Sequence, residues 1–123
     1  MKLIIAGSRD FHDYELLIKE VDNFIGVHCI TILDSPVEII SGMARGADML
    51  GYRYARDTGY YCYKMPADWD KFGKSAGYRR NEEMAKIATH CIVFRIGGNS
   101  SKGSTHMINL AKEYGLVLRV VDL

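Results

Sequence analysis

Two rhythms of apolar residues alternate along the chain. Lys2-Leu3-Ile4-Ile5-Ala6-Gly7 is almost continuously apolar, as a strand covered on both faces requires. Leu17, Ile18, Val21, Phe24 and Ile25 then recur at helical spacing, with Asp13 as N-cap and Gly26 as stop. Val37-Glu38-Ile39-Ile40 returns to the β-branched composition of a strand. A second helical pattern runs over 49–57, with Met49, Leu50 and Tyr54 apolar and Thr58-Gly59 ending it. Residues 60–65 are aromatic and strand-prone, and a polar loop leads on to Ser75. Residues 76–88 predict a third helix that turns Met84, Ile87 and Ala88 inward, and Cys91-Ile92-Val93-Phe94 a fourth strand. After a loop over 97–105 come a helix over 106–113, stopped by Gly115, and a last strand over 116–121. Only 27–34 fits neither rhythm. Cys29-Ile30-Thr31-Ile32-Leu33 has strand propensity, yet Ser35-Pro36 separates it from the strand at Val37, so it reads as an extra edge strand or a segment packed on a partner subunit.

Five strands alternating with four helices predict an α/β fold: a Rossmann-like, doubly wound, parallel five-stranded sheet with helices on both faces. Right-handed crossovers leave few topologies, and the expected order is 3-2-1-4-5. That order makes strands one, two and four near neighbours, so the three Gly-rich loops that follow them converge at the switch point between strands one and four. The 123 residues read as one domain over 1–123, large enough to bury roughly two-thirds of the unfolded surface.

Those loops carry the candidate chemistry. Ser41-Gly42-Met43-Ala44-Arg45-Gly46-Ala47-Asp48 joins a strand to a helix, where glycines allow close backbone approach and a new helix offers unpaired N–H groups. Arg45 adds a guanidinium able to grip a phosphate in bidentate fashion. Gly7-Ser8-Arg9-Asp10-Phe11 again combines glycine, hydroxyl and Arg. The loop over 97–105 supplies Ser100, Ser101, Ser104 and Thr105 as hydroxyls, Lys102 as a charge and Gly103 as room for approach. Its two leading glycines predict mobility that a ligand would quench. Phe11 and Trp69 are candidates to stack on a base. Gly73-Lys74-Ser75 imitates the end of a P-loop, but Asp68 stands where the motif needs glycine and no strand immediately precedes it, which excludes that NTPase reading.

Net charge is +1, which offers no overall attraction to nucleic acid or to an anionic membrane. No apolar run approaches the roughly 18 residues of a spanning helix, and the start carries no cleavage pattern of a signal peptide, so the expected location is cytoplasmic. Cys29, Cys62 and Cys91 sit in apolar runs as reduced thiols. His28-Cys29 and His90-Cys91 belong to no metal-ligand spacing, so neither a metal nor a cofactor is expected.

Five segments in order resemble the YspA-like (YspA/cpYpsA-related) branch of the SLOG superfamily, which also holds the LOG phosphoribohydrolases and the DNA-processing protein DprA. They are Gly7-Ser8-Arg9, the segment from Ser41 to Asp48, Pro66-Ala67-Asp68-Trp69, Ala76-Gly77-Tyr78-Arg79-Arg80-Asn81, and Ser101-Lys102-Gly103-Ser104-Thr105-His106-Met107-Ile108. The resemblance implies a Rossmann-like domain that binds a nucleotide or nucleotide-derived, ADP-ribose-like ligand, in bacteria and often in their phages, as a homodimer or larger homo-oligomer. The apolar 27–33 stretch is the candidate contact between subunits. The ligand-binding set is then Gly7, Ser8, Arg9, Phe11, Ser41, Gly42, Arg45, Gly46, Asp48, Trp69, Arg80, Asn81, Ser101, Lys102, Gly103, Ser104 and Thr105.

Arg80 falls where the enzymatic relatives carry a catalytic Arg. Their Pro-Gly-Gly-x-Gly-Thr-x-x-Glu motif corresponds loosely to 98–106, with the Pro missing, the spacing changed and His106 in place of the catalytic Glu. Cleavage of an N-glycosidic bond builds positive charge on the ribose, which a carboxylate stabilises and an imidazole does not. Binding without chemistry is therefore the first reading. A nucleoside-monophosphate phosphoribohydrolase, with Arg80, Asp48 and His106 as catalytic candidates, is the alternative. DprA-like DNA binding is weaker still, because Arg53, Arg56, Arg79 and Arg80 are offset by neighbouring acids. His106, close to a helix N-terminus, reads as a neutral residue hydrogen-bonded locally.

Overall fold

The computed structural model describes residues 1–28 and 36–123. Its elements run β1 (Lys2–Gly7), α1 (Tyr14–His28), β2 (Glu38–Ser41), α2 (Ala47–Thr58), β3 (Tyr61–Lys64), α3 (Trp69–Phe72), α4 (Ala76–Ile87), β4 (His90–Arg95), α5 (Lys102–Glu113) and β5 (Val117–Asp122). The strands form one parallel sheet in the order β3-β2-β1-β4-β5, as the alternation predicts. β1 is central because its run is apolar on both faces. Leu3 and Ile5 point to one side, where they join Leu17, Val21, Phe24 and Tyr54 of α1 and α2. Ile4 and Ala6 point to the other, against Met84, Met107 and Ala111 of α4 and α5. The period of two along the strand thus feeds two separate cores. Among the described residues no helix is long and apolar enough to cross a membrane. Cys91 is buried in the second core, which pushes its thiol up to about 12. Cys62 is half-buried and also free.

Several boundaries differ from the sequence expectation. α1 runs two residues past Gly26 to His28; Gly26 is exposed near the helix end, and the helix carries it at a cost of about 1 kcal/mol relative to alanine. The polar stretch before Ser75 holds α3 and a 3-10 turn over Gly73–Ser75, started by Asp68, whose carboxylate accepts from the Lys71 N–H at 3.1 Å. α5 starts at Lys102, one turn earlier than expected. Gly97 and Gly98 take φ of 80° and 56°, a 3-10 turn follows, and the Thr105 N–H already donates to the Ser101 carbonyl at 2.9 Å. Lys102, Gly103, Ser104 and Thr105 are therefore the first turn of a helix and not a free loop. From residue 29 to 35 the stretch proposed as edge strand or subunit contact, Cys29 included, lies outside the described residues.

Candidate functional site

β1 and β4 are neighbours whose crossovers leave in opposite directions, and a cleft of about 470 Å³ opens past their C-terminal ends. Its floor is built on Gly7 and Ser8. A Cβ on Gly7 would overlap the Phe94 carbonyl oxygen, so only glycine lets the two strands come this close. The Ser8 N–H donates to Phe94 O at 2.8 Å, and the Ser8 carbonyl accepts from Phe11 and Ala47, each at 3.2 Å. Its hydroxyl accepts from the Ile96 N–H at 2.9 Å and lies 2.9 Å from Ser101 Oγ. Ser101 in turn donates to Ser104 Oγ at 2.8 Å, so protons run in one direction from Ile96 through Ser8 and Ser101 to Ser104. One residue of the β1 loop thereby fixes the starts of α2 and α5.

The β2–α2 turn supplies the charged corner. Ser41 Oγ donates to the Asp48 carbonyl at 2.7 Å and accepts from the Met43 N–H at 3.1 Å. These bonds hold Met43 at φ 60°, a left-handed backbone uncommon for a side chain of that size. Asp48 enters the cleft from the first turn of α2 and meets Arg80 of α4, Oδ2 to Nη1 at 3.9 Å. Arg80 Nη1 also donates to the Gly42 carbonyl, and its Nε donates to Asn81 Oδ1 at 3.0 Å. Burial pushes the Asp48 carboxyl up to about 6, against the opposing pull of Arg80 and of the Ala44 N–H. Burial likewise lowers Arg80, with Asp48 opposing it. For both partners desolvation outweighs the attraction, as is common for a covered ion pair without close contact. A ligand anion reaching Arg80 would supply what Asp48 does not.

The outer wall comes from α3 and α4. Trp69 is half-exposed, and its indole lies against Gly77, where a Cβ would sit 3.4 Å from the ring. Tyr78 stands one residue further on, at the mouth. Arg9, Lys74 and Lys102 are exposed cations around the rim.

Of the residues singled out from the sequence, Gly7, Ser8, Arg9, Asp48, Trp69, Arg80, Asn81, Ser101, Lys102, Gly103 and Ser104 line this one cleft. Others serve it from behind. Ser41 shapes the turn, Gly42 leaves space for the Asp48–Arg80 pair, and Gly46, at φ 86°, packs on the backbone of Ser8 and Arg9. Phe11 does not face the cleft. It is buried and stacked on Phe94 with ring centroids 4.8 Å apart, because the turn after Ser8 directs it into the first core. Arg45 is exposed and does not line the cleft. Thr105 and His106 border a second, shallower hollow on the far side of Tyr78, with Asn99, Lys102 and Asn109. Thr105 is held by Arg95 at 3.2 Å, and His106 Nδ1 lies 3.2 Å from Asn81 Nδ2.

Sequence reading missed Lys74, Tyr78 and Ile96 as lining residues, while Asp10 and Ser100, named within their loops, join the lining. Lys74 carried a signal: the Gly-Lys-Ser triplet that is no P-loop still delivers an ammonium to the rim. Tyr78 lay inside the segment around Arg80, one helical turn past Ser75, where its neighbours already faced the cleft.

A family model described as the YspA, cpYpsA-related SLOG family matches residues 1–72. The Gene 61 protein of Mycobacterium phage D29 is 36% identical over 127 aligned residues, covering 94% of this chain and 91% of that protein. No solved structure matches the chain. The family match spans the β1 loop, the β2–α2 turn and Trp69, and the phage relative extends the likeness across α4 and α5; the chain belongs to the YspA, cpYpsA-related SLOG family.

Proposed function

We propose that the cleft binds a nucleotide or an ADP-ribose-like ligand, as a sensor, carrier or sequestering module. One observation carries this reading: hydroxyls, the first turn of α5 and four cations surround a single cleft that has aromatic rings on one wall. The phosphate belongs over Ser8, Ser101 and Ser104, where the uncapped N–H groups of α5 and the charges of Arg9 and Lys102 meet. The base belongs against Trp69 and Tyr78, both exposed enough to stack. Asp48, ionised above about pH 6, is an acceptor for ribose hydroxyls between the two ends. Family membership supports a nucleotide-related ligand.

Asp48 also favours a second reading, nucleotide N-glycosidase chemistry, because it places a carboxylate beside Arg80 inside the cleft. His106 takes no part in that reading, since it faces the outer hollow. Native mass spectrometry of the purified protein, followed by titration with nucleoside mono- and diphosphates and ADP-ribose, tests both. Saturable binding with the ligand recovered intact supports a binding module, and release of free base supports the hydrolase. Binding only to DNA, weakening steeply with salt, would overturn both.

A further inference from the structure

The carboxamide of Asn81 makes two hydrogen bonds whose directions are forced. Arg80 Nε carries only a proton to give, so the Asn81 atom 3.0 Å from it is the oxygen. The amide nitrogen then faces His106 Nδ1 at 3.2 Å, and since that nitrogen also only donates, Nδ1 must be a bare acceptor. His106 is thus neutral with its proton on Nε2. Asn81 is 7% exposed, which leaves little water to replace either bond.

A proton added to Nδ1 would confront the amide N–H with a second donor. Rotating the amide would repair that contact, but would turn the same N–H against Arg80 Nε. No orientation of Asn81 satisfies both an imidazolium and the guanidinium. We propose that Asn81 is a positioning residue that links the protonation of His106, in the outer hollow, to the orientation of Arg80 in the cleft. Neutral His106 holds Arg80 by its Nε edge, and the imidazolium frees that edge.

The groups around both ends are identified. His106 has the Tyr78 ring edge-on at 4.5 Å and Glu82 from α4, with Lys102 and Glu113 from its own helix. Burial lowers its pKa, against the pull of Glu82 and Glu113, which favours the neutral ring. Arg80 faces Asp48 and Arg9. Asp48, pushed up to about 6, titrates within the pH range scanned, so its contribution is removed by substitution.

The proposal rests on the nucleotide reading only in so far as Arg80 serves a ligand. The linkage itself belongs to the unligated chain and is tested there. A pH titration by ¹⁵N NMR on the full chain follows the ring nitrogens of His106, the Asn81 amide and Arg80 Nε–H. The neutral His106 ring should carry its proton on Nε2, and the Asn81 and Arg80 signals should move with the His106 midpoint. That movement should persist in Asp48→Asn and vanish in His106→Gln. Asn81→Asp gives the opposite sign and keeps the shape of the side chain. Its carboxylate accepts from Arg80 and from the imidazolium together, so the His106 midpoint should rise by about one unit or more, with Arg80 Nε–H now steady across it. A proton found on Nδ1, an Arg80 signal flat through the His106 midpoint in the parent, or an unmoved midpoint in Asn81→Asp would each overturn the linkage. Absence of any nucleotide binding would refute the ligand reading and leave this result intact.

Discussion

Asp48 and Arg80 meet beneath Gly42 with side chains only 8% and 11% exposed, yet their nearest charged atoms stay 3.9 Å apart. The pair is covered without being tightly joined, and burial dominates the carboxyl. The folded chain therefore holds a proton on Asp48 at a pH where the unfolded chain has lost it. This group's favourable contribution is complete below about 4 and is lost as pH rises through about 6. Denaturation series between pH 4 and 7 should show Asp48→Asn losing this slope, with a difference from the parent approaching about 3 kcal/mol across the window. Parallel pH profiles for the two proteins would show that Asp48 is not held in this way.

Gly42 and Gly46 should respond differently to alanine. At Gly42 the new Cβ would overlap the Arg80 guanidinium and lie 2.6 Å from Asp48 Oδ2, the ends of two side chains and not backbone. Gly42→Ala should cost less stability than Gly46→Ala, since side-chain ends can shift where backbone cannot, and should lose most of its nucleotide affinity because Arg80 is displaced. At Gly46 the backbone sits at φ 86° and the Cβ would strike the backbone of Ser8 and Arg9. Gly46→Ala should cost about 3 kcal/mol or more. Thermal melts with binding isotherms separate the two effects, and equal melts would refute the contrast.

Arg45 and Arg80 offer a second contrast. Arg45 is exposed outside the cleft, whereas Arg80 lines it and is largely covered. Arg80→Ala should weaken binding of a nucleoside monophosphate by about 1.5–3 kcal/mol, and Arg45→Ala should leave it within about twofold. Calorimetric titration decides, and a larger loss for Arg45→Ala would move the phosphate to the β2–α2 turn.

Trp69 is the single tryptophan of the chain, so its fluorescence reports on the aromatic wall alone. A base stacking there should quench the emission in proportion to occupancy, and Trp69→Ala should cost about 1–3 kcal/mol of affinity. Ribose 5-phosphate, which has no base, should leave the emission unchanged. Quenching by that sugar phosphate would mean that the wall moves without being stacked upon.

The sheet was legible because β1 and β4 are nearly continuous apolar runs, as strands covered on both faces must be, and the other strands are marked by β-branched or aromatic residues set between helical spacings. The loops after β1, β2 and β4 were legible as a cleft because strand order alone brings them together. Less legible were features set by side-chain direction. Phe11 shares its loop with Ser8 and Arg9, but the turn sends it back onto Phe94. Arg45 sits between Ala44 and Asp48, which line the cleft, and is itself exposed and not part of the lining. The early start of α5 was hidden because Gly, Ser and Thr suggest a loop, while here the Ser101 hydroxyl bonds Ser104 in the first turn and reaches back to Ser8. Lys74 was set aside together with the motif it imitates.

The Ser8 hydroxyl joins residues 88 and 93 positions away in sequence. A growing chain that has emerged only through β3 can pair three strands, but it has no floor for a ligand until residues 94–104 arrive. Such long-range closure comes late in folding, since its loop entropy must be overcome first. The cleft should therefore be incomplete in the folding transition state, leaving a ligand nothing to hold there. Such a ligand should leave the folding rate almost untouched and act by slowing escape from the native state, lengthening the lifetime of the finished molecule.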